Sequence, residues 1–285
     1  MLRTESLSLA YDDKTVVDNV SLIIPEGGIT CLLGPNGSGK STLLKSFAGL
    51  LLPQSGQVYL DDQPVDQWHR GKLALRLAML PQKPIVPEGI RVRDLVSLGR
   101  FPHRKWWQRN LTTDEHAIQD AMAMTGVTDL AERPVEALSG GQQQRVWVAM
   151  ALAQETDVLL LDEPTTFLDW GYQLEVLELL STLNREHGLT VVMSLHDLNQ
   201  AAQFADRIAV LANGQLEIIG SPGEVITEPL VNRVFRVNTR VSTGRDGRPF
   251  CSGFAESSHA SPTTNDHDPI SGPRLRGPEF PGRAT

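Results

Sequence analysis

Gly34-Pro35-Asn36-Gly37-Ser38-Gly39-Lys40-Ser41-Thr42 is a glycine-rich loop that ends in a lysine and two hydroxyls. This order of residue types matches the phosphate-cradling P-loop pattern in full. Glycines let backbone N–H groups turn inward around phosphate oxygens, and the N-terminus of a following helix adds its positive end. Lys40 is then placed to reach the β- and γ-phosphates of a nucleotide, and the Ser41 hydroxyl to bind Mg2+. Farther along, the apolar run Val158-Leu159-Leu160-Leu161 ends in Asp162-Glu163. Alone, such a run reads equally well as any buried strand meeting solvent. Beside a P-loop it reads as the metal-side strand, with Asp162 holding Mg2+ directly or through water and Glu163 polarising the attacking water. Successive side chains on a strand alternate, so the two acids are expected to face different ways and divide those tasks.

The elements that must position these groups are legible as hydrophobic patterns. Ile29-Thr30-Cys31-Leu32-Leu33, just before the glycine-rich loop, is the continuous apolar run of a strand buried on both faces. Ser41 to Leu52 reads as a helix ended by Pro53. Upstream, Leu7 and Leu9 alternate with polar neighbours, and Val16-Val17 and Val20 to Ile24 precede the turn Pro25-Glu26-Gly27-Gly28. Further strands are expected at Gln57–Leu60 and Leu77–Leu80. From about Pro84 to Glu155 the texture is helical, with apolar spacing over Arg91–Gly99, Thr113–Gly126 and Gly140–Gln154. Thr113 is the expected N-cap of the second of these, with acids in its first turn. Strand texture returns at Val158–Leu161, Thr190–Ser194 and Arg207–Leu211. The pattern is that of a parallel α/β core interrupted by a helical insertion. From about Ser242 the chain is rich in Gly, Ser, Pro, Thr and Asp and is expected to be flexible or only locally ordered.

A second glycine-rich turn, Leu138-Ser139-Gly140-Gly141-Gln142, lies shortly before the acidic strand. With it, the chain resembles the ATP-binding subunit of ABC transporters over about residues 2–237. The resemblance implies a P-loop NTPase core with a parallel sheet, an N-terminal antiparallel β subdomain and an inserted helical subdomain. It sets an ATPase domain at 1–237, with the helical subdomain at about 84–155, and a largely flexible C-terminal extension at 238–285. Leu138 to Gln142 becomes the signature loop that opens a helix. Ser139 is a good N-cap, and Gly140-Gly141 let backbone amides approach an anion, which makes a second phosphate-binding helix terminus. In this family that terminus meets the γ-phosphate held by the P-loop of another subunit, so Ser139, Gly140, Gly141 and Gln142 are expected to act in trans within a homodimer.

The resemblance assigns the remaining positions. Tyr11 matches the aromatic that stacks on adenine, and Gln82 the glutamine that senses Mg2+ and the attacking water at the start of the helical insertion. His196, in Ser194-Leu195-His196-Asp197, matches the switch histidine that contacts the γ-phosphate, and Leu168-Asp169 the loop that crosses the dimer. The implied assembly is an ATPase homodimer beneath two transmembrane permease subunits. It is served indirectly by a periplasmic or lipoprotein substrate-binding protein and sits peripherally on the cytoplasmic face of the inner membrane. Thr165-Thr166-Phe167-Leu168-Asp169, His196-Asp197-Leu198-Asn199-Gln200-Ala201-Ala202 and Leu98-Gly99-Arg100-Phe101-Pro102-His103 resemble the importer branch serving ferric siderophores, haem and cobalamin, with siderophores first. Arg104-Lys105-Trp106-Trp107-Gln108-Arg109 reads equally as a patch against a membrane partner or a solvated loop.

Composition narrows the alternatives. With 40% hydrophobic and 21% charged residues the chain has the makeup of a soluble globular protein, and a formal net charge of −8 argues against nucleic acid as the main partner. Cys31 and Cys251 make no disulfide framework, and Cys31 is expected to be a buried free thiol. The N-terminus shows no basic-then-apolar leader, and no run approaches the roughly 18 apolar residues that span a bilayer. Any membrane connection is therefore expected to come through a partner. A P-loop kinase or GTPase would have no use for Leu138 to Gln142 or for His196, and a guanine-specific Asn-Lys-x-Asp segment is absent. An ABC ATPase that moves no cargo remains the rival of another class; it would often carry two cassettes, coiled-coil insertions or basic arms, none of which is visible.

Overall fold

The structure is a computed structural model, and it describes residues 1–104 and 111–254. The chain begins with β1 (Leu2–Tyr11) and β2 (Lys14–Ile24), followed by β3 (Ile29–Leu33) and α1 (Lys40–Phe47). Next come β4 (Ser55–Leu60), β5 (Gln63–Pro64), the short α2 (Arg70–Leu73) and β6 (Leu77–Leu80). The insertion carries α3 (Val92–Ser97), a 3-10 segment at Leu98–His103, α4 (Leu111–Met124) and α5 (Gly140–Leu152). The core resumes with β7 (Val158–Leu161), α6 (Trp170–His187), β8 (Thr190–Ser194), α7 (Leu198–Phe204), β9 (Arg207–Ala212) and β10 (Gln215–Gly220). The described chain ends with α8 (Pro222–Val225), α9 (Glu228–Phe235), β11 (Asn238–Thr243) and β12 (Pro249–Phe254).

Two sheets carry the architecture. An antiparallel sheet has the order β2-β1-β4-β5, and a six-stranded sheet has the order β10-β9-β3-β8-β7-β6, parallel except for its β10 edge. β3, β7 and β8 are buried along their whole length, as continuous apolar runs require when both faces of a parallel sheet are covered. Alternation sends Ile29, Cys31 and Leu33 into the core beneath α5, α6 and α7. Leu32 points the other way, toward α1 and the antiparallel sheet. Cys31 is fully buried, which pushes its thiol pKa well above the ordinary value, with the Asp206 charge acting in the same direction. No helix among the described residues is long and apolar enough to cross a membrane.

Several boundaries differ from the sequence reading. α1 stops at Phe47, not Leu52, because the chain turns at Gly49 (φ +67) before Pro53 is reached. α4 starts at Leu111, so Thr113 lies within its first turn and is not its N-cap. Residues 238–254, expected to be largely flexible, form the β11–β12 hairpin, which pairs from Asn238↔Phe254 to Thr243↔Pro249. Met1–Phe254 make one compact unit, and the boundary set at residue 237 falls inside it. The polar composition misled here because this hairpin is fastened to α7 and α9 by hydrogen bonds, which composition does not register. The tryptophans of the basic-aromatic segment fall at 106–107, outside the described residues.

Candidate functional site

β3 delivers the glycine-rich loop directly at its C-terminal end. Gly34 has φ +148, and a Cβ there would lie 2.0 Å from the Leu211 carbonyl oxygen on the neighbouring strand, so only glycine fits. The loop exposes Asn36 and Gly37, half-buries Pro35 and buries Ser38, Gly39, Lys40 and Thr42. Lys40 Nζ donates to the carbonyl oxygens of Gly34 (2.8 Å) and Pro35 (3.1 Å), which draws the ammonium back across the loop. Burial pushes its pKa below the usual lysine value, although the charges of Glu163 and Asp162 pull upward. Ser38 Oγ is buried in the same loop with no hydrogen-bond partner among the described residues.

The acidic pair is arranged differently from the strand picture. β7 ends at Leu161, so both carboxylates lie beyond the pleat and strand alternation does not separate them. Glu163 instead takes a left-handed conformation (φ +51) that turns the chain between the two. Asp162 Oδ1 accepts from Ser41 Oγ (2.8 Å) and from Ser194 Oγ (2.9 Å). The Glu163 carboxylate accepts from Thr166 Oγ1 (2.9 Å) and from Gln82 Nε2, and His196 Nε2 lies 2.6 Å from its Oε1. The acids therefore do divide their partners, through a backbone turn.

Parallel strand order explains why residues so far apart in sequence meet. Gln82, Glu163 and His196 each follow the C-terminal end of one of three adjacent strands, β6, β7 and β8, and the P-loop follows β3 beside them. Ligand sites of open α/β sheets form at that edge. The Gln82 side chain meets Glu163, and among the described residues no hydrogen bond joins it to the Ser41–Asp162 pair. Sequence reasoning missed Ser194 and Thr166. Ser194 is fully buried, donates to Asp162 and accepts from the Glu163 backbone N–H (2.8 Å). Its only sequence signal was a hydroxyl at the end of an apolar strand immediately before Leu195-His196.

The second glycine-rich turn opens α5. Ser139 Oγ accepts from the Gln142 N–H (3.3 Å) and Gln142 Oε1 accepts from the Ser139 N–H (3.1 Å), a reciprocal capping box. Gly141 is needed for close packing, since a Cβ there would sit 2.6 Å from Tyr172 Cδ1, whereas Ser139 and Gly140 are exposed. Among the described residues no hydrogen bond joins residues 139–142 to the P-loop of the same chain, and Gln142 is occupied with its own cap.

Tyr11 ends β1, half-exposed, with its hydroxyl 3.5 Å from Lys45 Nζ on α1. At the loop carrying Leu168-Asp169, Phe167 has φ +67 and is 74% exposed, with Lys83 Nζ 4.7 Å from its ring centroid. Trp170 beside it is 72% exposed. In the 3-10 segment Leu98–His103, Arg100 turns inward to Asp114, Glu155 and the Ala153 carbonyl, and His103 meets the Gln154 carbonyl. Phe101 is left 77% exposed.

Comparison with known proteins identifies the family. The ABC transporter family model matches residues 17–166. The chain is 49% identical over 240 residues to the achromobactin transport ATP-binding protein CbrD of Dickeya dadantii (strain 3937), covering 84% of this chain and 89% of the relative. It is 45% identical over 251 residues to the iron(3+)-hydroxamate import ATP-binding protein FhuC of Bacillus subtilis (strain 168), covering 88% and 93%. Among solved structures, a dimeric post-hydrolysis ATP-binding cassette bound to ADP and Pi matches with a TM-score of 0.69 at 30% identity, covering 78% of this chain and 98% of that one. The chain therefore belongs to the ABC transporter family, as an ATP-binding subunit that hydrolyses ATP.

Proposed function

We propose that this subunit binds ATP on the 34–42 loop and hydrolyses it with Glu163 as the group that polarises the attacking water. The observation that carries this is the convergence on one carboxylate of Gln82, Thr166 and His196, next to the Ser41–Asp162 pair and Lys40. Lys40 reaches the β- and γ-phosphates once its ammonium leaves the Gly34 and Pro35 carbonyls. The buried Ser38 hydroxyl, with no hydrogen-bond partner among the described residues, is one more donor within that loop. His196 contacts the γ-phosphate from the Glu163 side, and Tyr11 stacks on the adenine. Ser41 Oγ and Asp162 Oδ1 are hard oxygen donors 2.8 Å apart, a set that fits Mg2+ shared with nucleotide phosphates. The Gln82 amide oxygen is the third protein donor expected. Mg2+, when bound, supplies charge neutralisation at the phosphates.

The second half of each site comes from a second copy of the chain. Ser139 and Gly140 are exposed at the N-terminus of α5, and their hydrogen bonds stay within their own cap. That leaves the helix end available to a γ-phosphate held in trans. The exposed aromatics Phe167, on the adjacent loop, and Trp170, at the start of α6, fit such an interface. The complex would sit at the cytoplasmic face of the membrane beneath two permease subunits, with the exposed Leu98 and Phe101 of the insertion available for that contact. A periplasmic or lipoprotein binding protein would deliver the cargo.

Ferric siderophores are the proposed cargo, supported by relatives named for achromobactin and iron(3+)-hydroxamate transport and by the three branch-like segments. The test for the ATPase is Glu163→Gln: the variant should bind ATP and accumulate as a closed dimer, and one that stays monomeric at saturating ATP would refute the sandwich. The test for cargo is uptake of radiolabelled ferric siderophore, haem and cobalamin in cells lacking this gene. Loss confined to haem or cobalamin would reassign the cargo, and no loss of any would favour a non-transport ATPase.

A further inference from the structure

The β11–β12 hairpin is fastened to one helix in particular, the one that follows the switch histidine. Asn199, in the first turn of α7, uses its side chain as a peptide surrogate against the outer strand. Its Nδ2 donates to the Cys251 carbonyl oxygen (3.1 Å), and its Oδ1 accepts from the Cys251 N–H (2.7 Å). At the other end of α7, Arg248 Nη1 donates to the carbonyl oxygens of Ala202 (2.7 Å) and Ala205 (3.1 Å). A cation on the last carbonyls of a helix satisfies acceptors that have no intrahelical partner and complements the helix dipole. The hairpin is itself anchored on α9, where Asn232 Oδ1 accepts from the Thr239 N–H and Glu228 Oε1 from the Val241 N–H, both at 2.9 Å.

α7 is thus gripped at both ends, and its N-terminus carries the site. Asp197 caps it by accepting from the N–H groups of Asn199 (2.7 Å) and Gln200 (2.9 Å), and His196 immediately precedes that cap. The buried Gln200 continues the connection inward. Its Nε2 donates to Gln173 Oε1 (2.6 Å), and Gln173 Nε2 donates to the Leu168 carbonyl oxygen (2.9 Å).

We propose that Asn199 and Arg248 are positioning residues, through which the 238–254 hairpin holds α7 so that His196 stays in register with Glu163. This brace rests on His196 being part of the hydrolytic site proposed above. A small displacement of α7 would move the imidazole from the carboxylate it meets at 2.6 Å. Misplacement of that order slows chemistry without removing any group that contacts nucleotide.

The test is steady-state ATPase kinetics of full-length Asn199→Ala, Arg248→Ala and Arg248→Lys, with His196→Ala alone and combined with Asn199→Ala. Thermal melting of each variant ensures that rates refer to folded protein. Asn199→Ala and Arg248→Ala should each lower kcat about 10-fold with KM for ATP changed less than about two-fold, and Arg248→Lys should recover most of the rate. In the His196→Ala background, Asn199→Ala should cost nothing further, because the two act as one unit. Unchanged kcat in both alanine variants, or losses that multiply with that of His196→Ala, would overturn the brace. Normal hydrolysis by His196→Ala would instead overturn the assignment beneath it.

Discussion

The Ser194 hydroxyl donates to Asp162 Oδ1 at 2.9 Å from a fully buried position at the end of β8. Ser194 Oγ also accepts from the Glu163 backbone N–H, so one hydroxyl orients both neighbouring acids. Ser194→Ala should leave ATP affinity nearly unchanged and lower turnover, with a stability loss of about 1–3 kcal/mol from the Glu163 N–H left unpaired. Nucleotide titration beside steady-state hydrolysis checks this. Equal losses in both would mean that Ser194 serves the fold alone.

Hydrolysis in trans predicts a specific behaviour of mixed dimers. Ser139→Arg should bind nucleotide as a monomer nearly like the parent chain yet fail to hydrolyse it, whereas Lys40→Ala should bind nucleotide more weakly and fail to hydrolyse it, for lack of phosphate contact. Mixing the two should restore activity, because one of the two composite sites in a heterodimer is then intact. Turnover of the mixture that stays at the level of the separate variants would place the second glycine-rich turn outside the chemistry. Ser139→Ala, which removes the cap hydroxyl, should cost about 1 kcal/mol of stability.

Arg100 and Asp114 tie the 3-10 segment to α4 within the insertion. Arg100 is 4% exposed and bonds Asp114 at 3.0 Å, with Arg104 on the other carboxylate oxygen at 3.1 Å. Burial alone would raise the Asp114 pKa, but the hydrogen bonds and charges of the two arginines outweigh it and hold the carboxyl below its usual value. A carboxylate with a depressed folded pKa adds stability above its unfolded pKa, about 3.9, and loses it as pH falls through the folded value. Arg100→Ala should therefore destabilise by about 1.5–3 kcal/mol at neutral pH, the loss of a charged hydrogen bond with Arg104 still on the carboxylate. Denaturant melts should show the gap from the parent chain narrowing below about pH 4. A pH-independent difference would mean that packing carries the effect.

Gly141 is explained by its contact with Tyr172, and that contact is testable separately from catalysis. Gly141→Ala should destabilise by about 1–3 kcal/mol through overpacking. Adding Tyr172→Ala should recover part of the loss, a coupling measurable in a double-mutant cycle. Strict additivity would show that the ring moves aside freely.

Much of this site was readable from local order along the chain. The P-loop, the apolar run before Asp162 and the N-cap at Ser139 all work through backbone geometry within a few residues, so spacing and residue type suffice to expose them. Their neighbours were not readable in the same way. Gln82, Glu163 and His196 converge only because β6, β7 and β8 lie side by side, and strand order depends on pairings between distant segments. The same holds for Ser194, whose hydroxyl acquires its role from two acids 31 and 32 positions away in sequence.

By itself, then, the sequence determined the phosphate-binding loop, the acidic pair, the N-cap at Ser139 and the family. The tertiary structure decided how the two acids divide their partners, since the left-handed turn at Glu163 replaced the strand alternation expected there. It also decided that 238–254 is a hairpin gripping α7, where composition had suggested flexibility. Those outcomes depend on hydrogen bonds between segments roughly 30 to 80 residues apart, which local propensity does not encode.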